Sequence, residues 1–395
     1  MAVAGCSIPE RLLAVPKALT TKAKVTQAHV SPATNIRFWV NQDPDPLAKE
    51  GLEALRKERE YLARTGHTGP LPPVNFLAIS GGGDNGAFGA GLLNGWTAAG
   101  NRPEFKIVTG VSTGALIAPL AFLGPDYDAD LKKAYTTISK NDIYEERGIL
   151  AALIDDGLAD SRPFLELVSR FVTPEMLTRI AQEYAKGRLL LVGTTDLDAR
   201  QPVIWNMTAI AASGDPGALD LFRKILVASA SVPGVFPPVM FEVEADGRKY
   251  QEMHVDGGAM AQVFLYPPYL VLSDLAAEAD AHRQRTFYLI RNARLDPDWA
   301  SVDRRTLDIV DRAVSSLITS QGVGDLYRIY LTTQRDGIDY NLAYIGREFD
   351  APHKEDFDTA YMQQLFDYGY KLAQGGYPWQ KYPPGYTLST KAVAQ

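Results

Sequence analysis

From residue 74 onward the apolar and polar positions alternate between strand-like and helix-like runs. Val74-Asn75-Phe76-Leu77-Ala78-Ile79-Ser80 reads as a strand, and Ala87 to Ala99 as a helix with Phe88, Leu92 and Trp96 at helical spacing. Gly89, Ala90 and Gly91 in that run allow close packing on a sheet. Phe105-Lys106-Ile107-Val108-Thr109 is a second strand, and Ala115 to Leu123 a second helix. Arg188 to Thr194 is a strand, and Leu197 to Pro202 forms a hairpin turn into Val203-Ile204-Trp205. The run from Tyr250 is strand-like until it breaks at Asp256-Gly257-Gly258. Beyond it, Arg285 to Ile290, Tyr327 to Leu331 and Tyr340 to Tyr344 read as strands. Leu307 to Thr319 and Phe357 to Leu372 read as helices. This is the alternation of an α/β protein.

The first 46 residues carry no such period. They are rich in Ala, Pro and Thr and are expected to form an extended tether. Leu47 to Thr65 predicts a charged amphipathic helix with Leu52, Leu55 and Leu62 on one side, and residues 66–73 a rigid Pro-rich linker. The expected division is therefore tether (1–46), helix and linker (47–73), a main α/β domain (74–265) and a C-terminal α/β extension (266–395) packed on it and completing its sheet. The aromatic and Pro-rich tail from Gly375 to Tyr386 is expected to pack over the surface.

Composition adds little except by exclusion. A hydrophobic fraction of 46% and a charged fraction of 22% are ordinary for a globular chain of 395 residues. The net charge of −7, with no basic run, argues against nucleic acid as a partner and against electrostatic docking on anionic membranes. The longest apolar run, Ala115 to Gly124, is too short to span a bilayer.

Candidate chemistry sits at the ends of the predicted strands. Gly110-Val111-Ser112-Thr113-Gly114 lies between a strand and a helix, the layout of a nucleophile elbow. The tight turn strains the serine backbone and points its Oγ out of the sheet edge, while the helix N-terminus favours a developing anion. One strand earlier, Gly81-Gly82-Gly83-Asp84-Asn85-Gly86 offers consecutive backbone N–H groups, the material of an oxyanion hole. The same loop matches a dinucleotide-binding fingerprint. The acidic residue that fingerprint requires would be Glu104, which stands at the wrong end of the next strand for a ribose contact. A serine also needs a proton acceptor. Asp256, presented by the turn Asp256-Gly257-Gly258, is the better candidate. A triad through His254 is the alternative, although side chains two apart on a strand diverge.

Four segments in this order resemble the patatin-like phospholipase family: the Gly81 to Gly86 loop, Gly110 to Gly114, Ala228 to Pro238, and Asp256-Gly257-Gly258. The resemblance covers roughly residues 74 to 265. It implies a three-layer α/β/α sandwich with a mostly parallel sheet and the site at the strand C-termini. It also implies a Ser–Asp dyad without histidine: Ser112 as nucleophile, Asp256 as base, and backbone N–H groups of Gly81, Gly82 and Gly83 around the oxyanion. Gly110 and Gly114 would shape the elbow, and Gly257 and Gly258 the aspartate turn. The implied substrates are acyl esters of lipids, cleaved without metal or cofactor, and a membrane surface is an expected partner, met peripherally or through a lipid anchor. Two positions depart from the family pattern. Asp84-Asn85 stands where the family usually carries Arg or Lys before the last glycine, and Ala259 to Pro267 lacks the usual Asn-x-Pro.

Other acidic and hydroxyl residues have simpler readings. Ser229 and Ser231 read as structural turn residues, and Asp196 and Asp198 as turn residues of the hairpin. No His, Cys and carboxylate cluster has metal-ligand spacing. Cys6 is the single cysteine, and Val3-Ala4-Gly5-Cys6-Ser7 resembles a bacterial lipobox, making Cys6 a candidate for lipidation. Only five residues precede it, fewer than a secretory signal needs. The expectation is a cell-envelope lipoprotein if translation starts upstream, and a cytoplasmic protein otherwise. A short-chain carboxylesterase and a catalytically silent lipid-binding protein are the alternative functions.

Overall fold

The apolar runs become the strands of one ten-stranded mixed sheet. The computed structural model describes residues 11–27, 35–39, 45–143, 145–146, 159–296, 299 and 301–386; Cys6 lies outside them. In chain order the strands are β1 (Lys24–Val25), β2 (Arg37–Trp39), β3 (Val74–Ile79), β4 (Ile107–Val111) and β5 (Leu189–Asp196). They continue as β6 (Gln201–Asn206), β7 (Val239–Ala245), β8 (Arg248–Asp256), β9 (Arg285–Arg294) and β10 (Asp339–Ile345). The principal helices are α1 (Asp45–Arg64), α2 (Gly86–Ala98), α3 (Thr113–Leu123), α4 (Asp128–Thr136) and α5 (Arg162–Phe171). They continue as α6 (Pro174–Ala185), α7 (Ala218–Ser229), α8 (Thr306–Arg335) and α9 (Thr359–Gln374).

The sheet's main path runs β1-β7-β8-β5-β4-β3-β9-β10, with β6 on β5 and β2 on β6. Its centre, β5-β4-β3-β9-β10, is parallel. Helices connect these strands, as parallel pairing requires. Alternation along each strand then makes two cores. Leu77, Ile79, Ile290, Ala343 and Ile345 face the layer that contains α2, α3, α7 and α9. Phe76, Ala78, Phe287, Leu289, Tyr340 and Leu342 face α8 and the segment around Val263 and Leu265. The result is a three-layer α/β/α sandwich, and the C-terminal third contributes β9 and β10 to the central sheet itself.

Several expectations need correction. Part of the N-terminal tether is built into the sheet: β1 pairs with β7, and β2 pairs with β6. The edge strands of an antiparallel wing offered unpaired backbone groups, and the N-terminal segment satisfies them. On α1 the buried positions are Leu47, Glu50, Ala54 and Glu58 rather than the Leu52 side. The carboxylates are tolerated there because Glu50 accepts the Tyr184 O–H (2.8 Å) and Glu58 pairs with Arg283 (2.7 Å). Tyr327 to Leu331 is not a strand but part of α8. Leu326, Ile329, Tyr330 and Thr333 are buried at helical spacing while Leu331 is exposed, so packing overrides the β-forming composition.

The glycines of α2 also serve differently from expectation. Gly89 does approach the sheet, at Ile290 and Asn292, but Gly91 and Gly95 lie against the backbone of α9. A Cβ at Gly95 would sit 2.1 Å from the Tyr370 carbonyl oxygen. Replacing Gly95 by Leu is therefore expected to destabilise the protein by about 1–3 kcal/mol or more, read as a lowered midpoint in urea unfolding. An unchanged midpoint would show that α9 can shift away at no cost.

Candidate active site

The two ends of the site are brought together by one strand edge. Parallel pairing of β4 with β5 ends at Val111 opposite Gly193. On the same edge β8 arrives antiparallel and pairs Asp256 with Thr194, the next residue of β5. The other edge of β5 is taken by β6 from Leu191 to Asp196, overlapping both. Two strands thus meet end to end along β5, one finishing just before Ser112 and the other at Asp256.

Ser112 holds φ 57° and ψ −128°, a positive-φ conformation that a serine adopts only under constraint. The constraint is visible around it. A Cβ at Gly114 would lie 2.2 Å from the Ile79 carbonyl oxygen, and one at Gly110 would lie 2.4 Å from that of Gly114. The Ser112 N–H donates to Ser229 Oγ (3.1 Å), which in turn donates to the Gly193 carbonyl (2.7 Å). Two residues on, the Ser231 carbonyl accepts the Asp256 N–H (2.8 Å). The end of α7 therefore fixes Ser112 and Asp256 together. Ser229 and Ser231 are structural, as the sequence suggests, but Ser229 supports the elbow directly.

Asp256 is buried. Its Oδ1 accepts the Gly258 N–H (2.6 Å), and its Oδ2 has no hydrogen-bond partner. Burial pushes the carboxyl up to about 6, against the opposing pull of the Ser112 hydroxyl and the Gly258 amide. Such a group is ionised at neutral pH yet basic enough to accept a proton from a hydroxyl. A Cβ at Gly257 would meet the Gly193 carbonyl oxygen at 2.5 Å, which accounts for glycine after the aspartate.

The glycine loop divides its amides. Gly81 is not an available donor, because its N–H is taken by the Gln262 carbonyl (3.0 Å). Among the described residues no acceptor takes the amides of Gly82 or Gly83. Gly82 has φ 157°, and a Cβ there would lie 2.0 Å from the Asn292 carbonyl oxygen. The loop is held from β9, since Asn292 donates through its side chain to the Ser80 carbonyl (2.9 Å) and through its N–H to Ser80 Oγ (2.9 Å). Both departures from the family pattern have structural roles. Asp84 pairs with His353 (2.7 Å) and accepts the Phe357 N–H (2.9 Å), while Asn85 accepts the Tyr361 O–H (2.6 Å). In the stretch that lacks Asn-x-Pro, Gln262 donates through its side chain to the Gly258 carbonyl (2.8 Å) and through its N–H to Asp325 (2.7 Å). Asn292, Gln262 and Asp325 are supports that sequence reading missed.

Ser112 opens onto an apolar cavity of about 120 Å³. Leu116 and Leu120 of α3, Phe164 and Leu167 of α5, Leu226 of α7 and Phe357 form much of its wall. A hydroxyl nucleophile, a buried base, free backbone amides and an apolar chamber can together carry out acyl transfer to and from an apolar acyl chain.

His254 is elsewhere engaged. Its Nδ1 bonds to Thr194 Oγ1 (2.9 Å) and its Nε2 to Glu252 (3.3 Å), with the ring against Trp205 and Phe241. The fold does gather Asp196, Glu252 and His254, a buried group of ligand-type side chains that sequence spacing did not reveal. Arg37 pairs with Glu252 and supplies counter-charge from within the protein. In the hairpin Asp196 accepts the Ala199 N–H (3.0 Å), as a turn residue does.

Residues 77–268 match the family model described as Patatin-like phospholipase. Among curated proteins none matches this chain. Among solved structures the chain is similar to VipD from Legionella pneumophila, at 12% identity and a TM-score of 0.38, over 76% of this chain and 67% of that one. It is also similar to human GIVD cytosolic phospholipase A2, at 10% identity and a TM-score of 0.33, over 87% of this chain and 65% of that one. Neither likeness bears on the chemistry.

The raised Asp256 carboxyl has a stability consequence. In the unfolded chain it titrates near 4, so the folded protein holds a proton between about pH 4 and 6 that the unfolded chain has lost. Folding stability therefore falls as pH rises through that window, by roughly 2–3 kcal/mol. Asp256→Asn is expected to melt higher than the wild type at pH 7–8, with the difference vanishing near pH 4. Equal melting temperatures at pH 7–8 would refute the cost assigned to this buried charge.

Proposed function

We propose that this chain, whose residues 77–268 form a patatin-like phospholipase domain, is a serine acyl hydrolase acting on lipid esters. In this reading it works as a phospholipase A or lysophospholipase, through an acyl-enzyme on Ser112. The observation that supports it best is the strained Ser112, set beside the buried Asp256 carboxylate and opening onto an apolar cavity.

The acyl chain lies in the cavity, with its carbonyl at Ser112. Asp256 takes the hydroxyl proton as Ser112 Oγ attacks the carbonyl carbon. The amides of Gly82 and Gly83 hold the resulting oxyanion, aided by the N-terminus of α3. Collapse of the tetrahedral intermediate breaks the ester C–O bond, and protonated Asp256 returns its proton to the departing alcohol. A water then attacks the acyl-enzyme with Asp256 again as base, releasing the fatty acid and restoring Ser112. The glycine loop offers no cation, so zwitterionic or uncharged head groups suit it better than anionic ones.

Hydrolysis of p-nitrophenyl esters from C2 to C16 tests the reading. Activity should rise with acyl length into the medium and long range. It should fall at least about a thousandfold in Ser112→Ala and about 10²–10⁴-fold in Asp256→Asn. Leu226→Trp, which fills the cavity, should move the optimum to shorter esters. Wild-type activity retained in Ser112→Ala would end the proposal, and a preference for C2 in the wild type would replace lipid substrates with small esters.

The proton acceptor must be ionised, so kcat/KM should drop tenfold per pH unit below about 6 and be flat above it. A profile without an inflection between pH 5 and 7 would assign the base to another group.

A further inference from the structure

α8 is 30 residues long, but the sheet uses only its C-terminal part. Leu326, Ile329 and Tyr330 pack on β9 and β10. Gly322 rests on the Arg291 side chain at the end of β9, and Asp325 accepts the Gln262 amide (2.7 Å) beside the glycine loop. These two residues mark the level of the catalytic rim. From Asp336 the chain turns directly into the start of β10, at the opposite end of the sheet. Residues 306–321 therefore run beyond the rim on the catalytic side, for roughly 24 Å at about 1.5 Å per residue.

This projecting segment is amphipathic. Ile309, Val310, Val314, Leu317 and Ile318 are all exposed, Leu317 by 69%. At about 100° per residue they share one arc, roughly 180° wide, with Asp308, Arg312, Ser315, Ser316 and Thr319 on the other. The apolar arc points well away from the direction in which Leu326, Ile329 and Tyr330 meet the sheet, so it does not continue the core face. Trp299, 87% exposed, and Val302, 40% exposed, precede it. Exposed apolar surface of this extent marks a contact with something apolar. Among the described residues no helix is long and apolar enough to cross a membrane.

We propose that residues 306–321 of α8 are the docking surface that lays the catalytic cavity against a lipid bilayer. The partner is a zwitterionic or uncharged lipid surface. Between Asp303 and Arg312 the chain carries three acidic and three basic residues, a neutral set that matches such a surface, and the chain as a whole is at −7. A half-apolar helix is the form that lies within a membrane interface, whereas a helix seam between two protein copies is narrower. The proposal rests on the lipid acyl hydrolase reading for its purpose but not for its measurement.

Co-sedimentation of the full chain with sonicated phosphatidylcholine vesicles tests it. Wild type should bind. Val310→Asp/Leu317→Asp should bind at least about tenfold more weakly, because two apolar contacts are lost. Ser316→Asp/Thr319→Asp, on the polar arc, should bind as wild type does. Hydrolysis of soluble p-nitrophenyl butyrate should be equal in all three, while release of fatty acid from the vesicles should fall only in the first variant. No vesicle binding by wild type, or equal binding by Val310→Asp/Leu317→Asp, would overturn the proposal. So would a wild-type dimer that this variant converts to monomer in light scattering, since the face would then join two copies. Absence of butyrate hydrolysis in wild type would count against the hydrolase reading alone, because vesicle binding is read without it.

Discussion

Everything at the site depends on one edge of β5 being shared. A strand edge has a fixed hydrogen-bonding register, so two strands that divide it must meet at a defined step. Here the step falls between Gly193 and Thr194, with Val111 opposite the first and Asp256 opposite the second. The alignment of Ser112 and Asp256 is thus a property of backbone pairing rather than of side-chain choice. Side chains refine it: Ser229 holds the elbow to Gly193, and the Ser231 carbonyl holds the Asp256 amide.

The same arrangement forces the carboxylate out of water. A group at the junction of two strands inside a sheet cannot be solvated, and only one of its oxygens finds a donor. The resulting destabilisation of the charged form is what lifts this carboxyl toward neutrality. The surrounding elements bear the cost. Gln262, Asp325 and Asn292 satisfy polar groups of the neighbouring loops, while Asp256 Oδ2, like the amides of Gly82 and Gly83, is left without a partner among the described residues.

Local features of this design were legible in the sequence. A strand, a tight glycine turn and a helix are contiguous, so Ser112, Asp256 and their glycines could be read from short segments. The central strands were found because strands buried on both faces are apolar throughout. What escaped was long-range. Gln262 and Asn292 act on the glycine loop from far along the chain, and no local pattern distinguishes them from other polar residues. Gly81 belonged to the loop but not to its free donors, because the partner that takes its amide lies in the aspartate segment. Tyr327 to Leu331 looked like a strand because its aromatic and branched composition outweighed a helical period visible only over a longer window. β1 and β2 were missed because strands of two and three residues carry no readable alternation.

The interlock of α2 with α9 has a consequence in time. The glycine loop leads directly into α2, whose Gly91 and Gly95 close on Phe366 and Tyr370, while Asp84 and Asn85 are gripped by His353 and Tyr361. A ribosome makes Ser112 and Asp256 long before it makes these clamps, and β9, the strand that supports the loop through Asn292, also comes late. During synthesis Ser112 therefore exists before the glycine loop is fully braced. On the reading proposed above, the oxyanion cradle of the growing chain is braced only once the segment from His353 through α9 has been made.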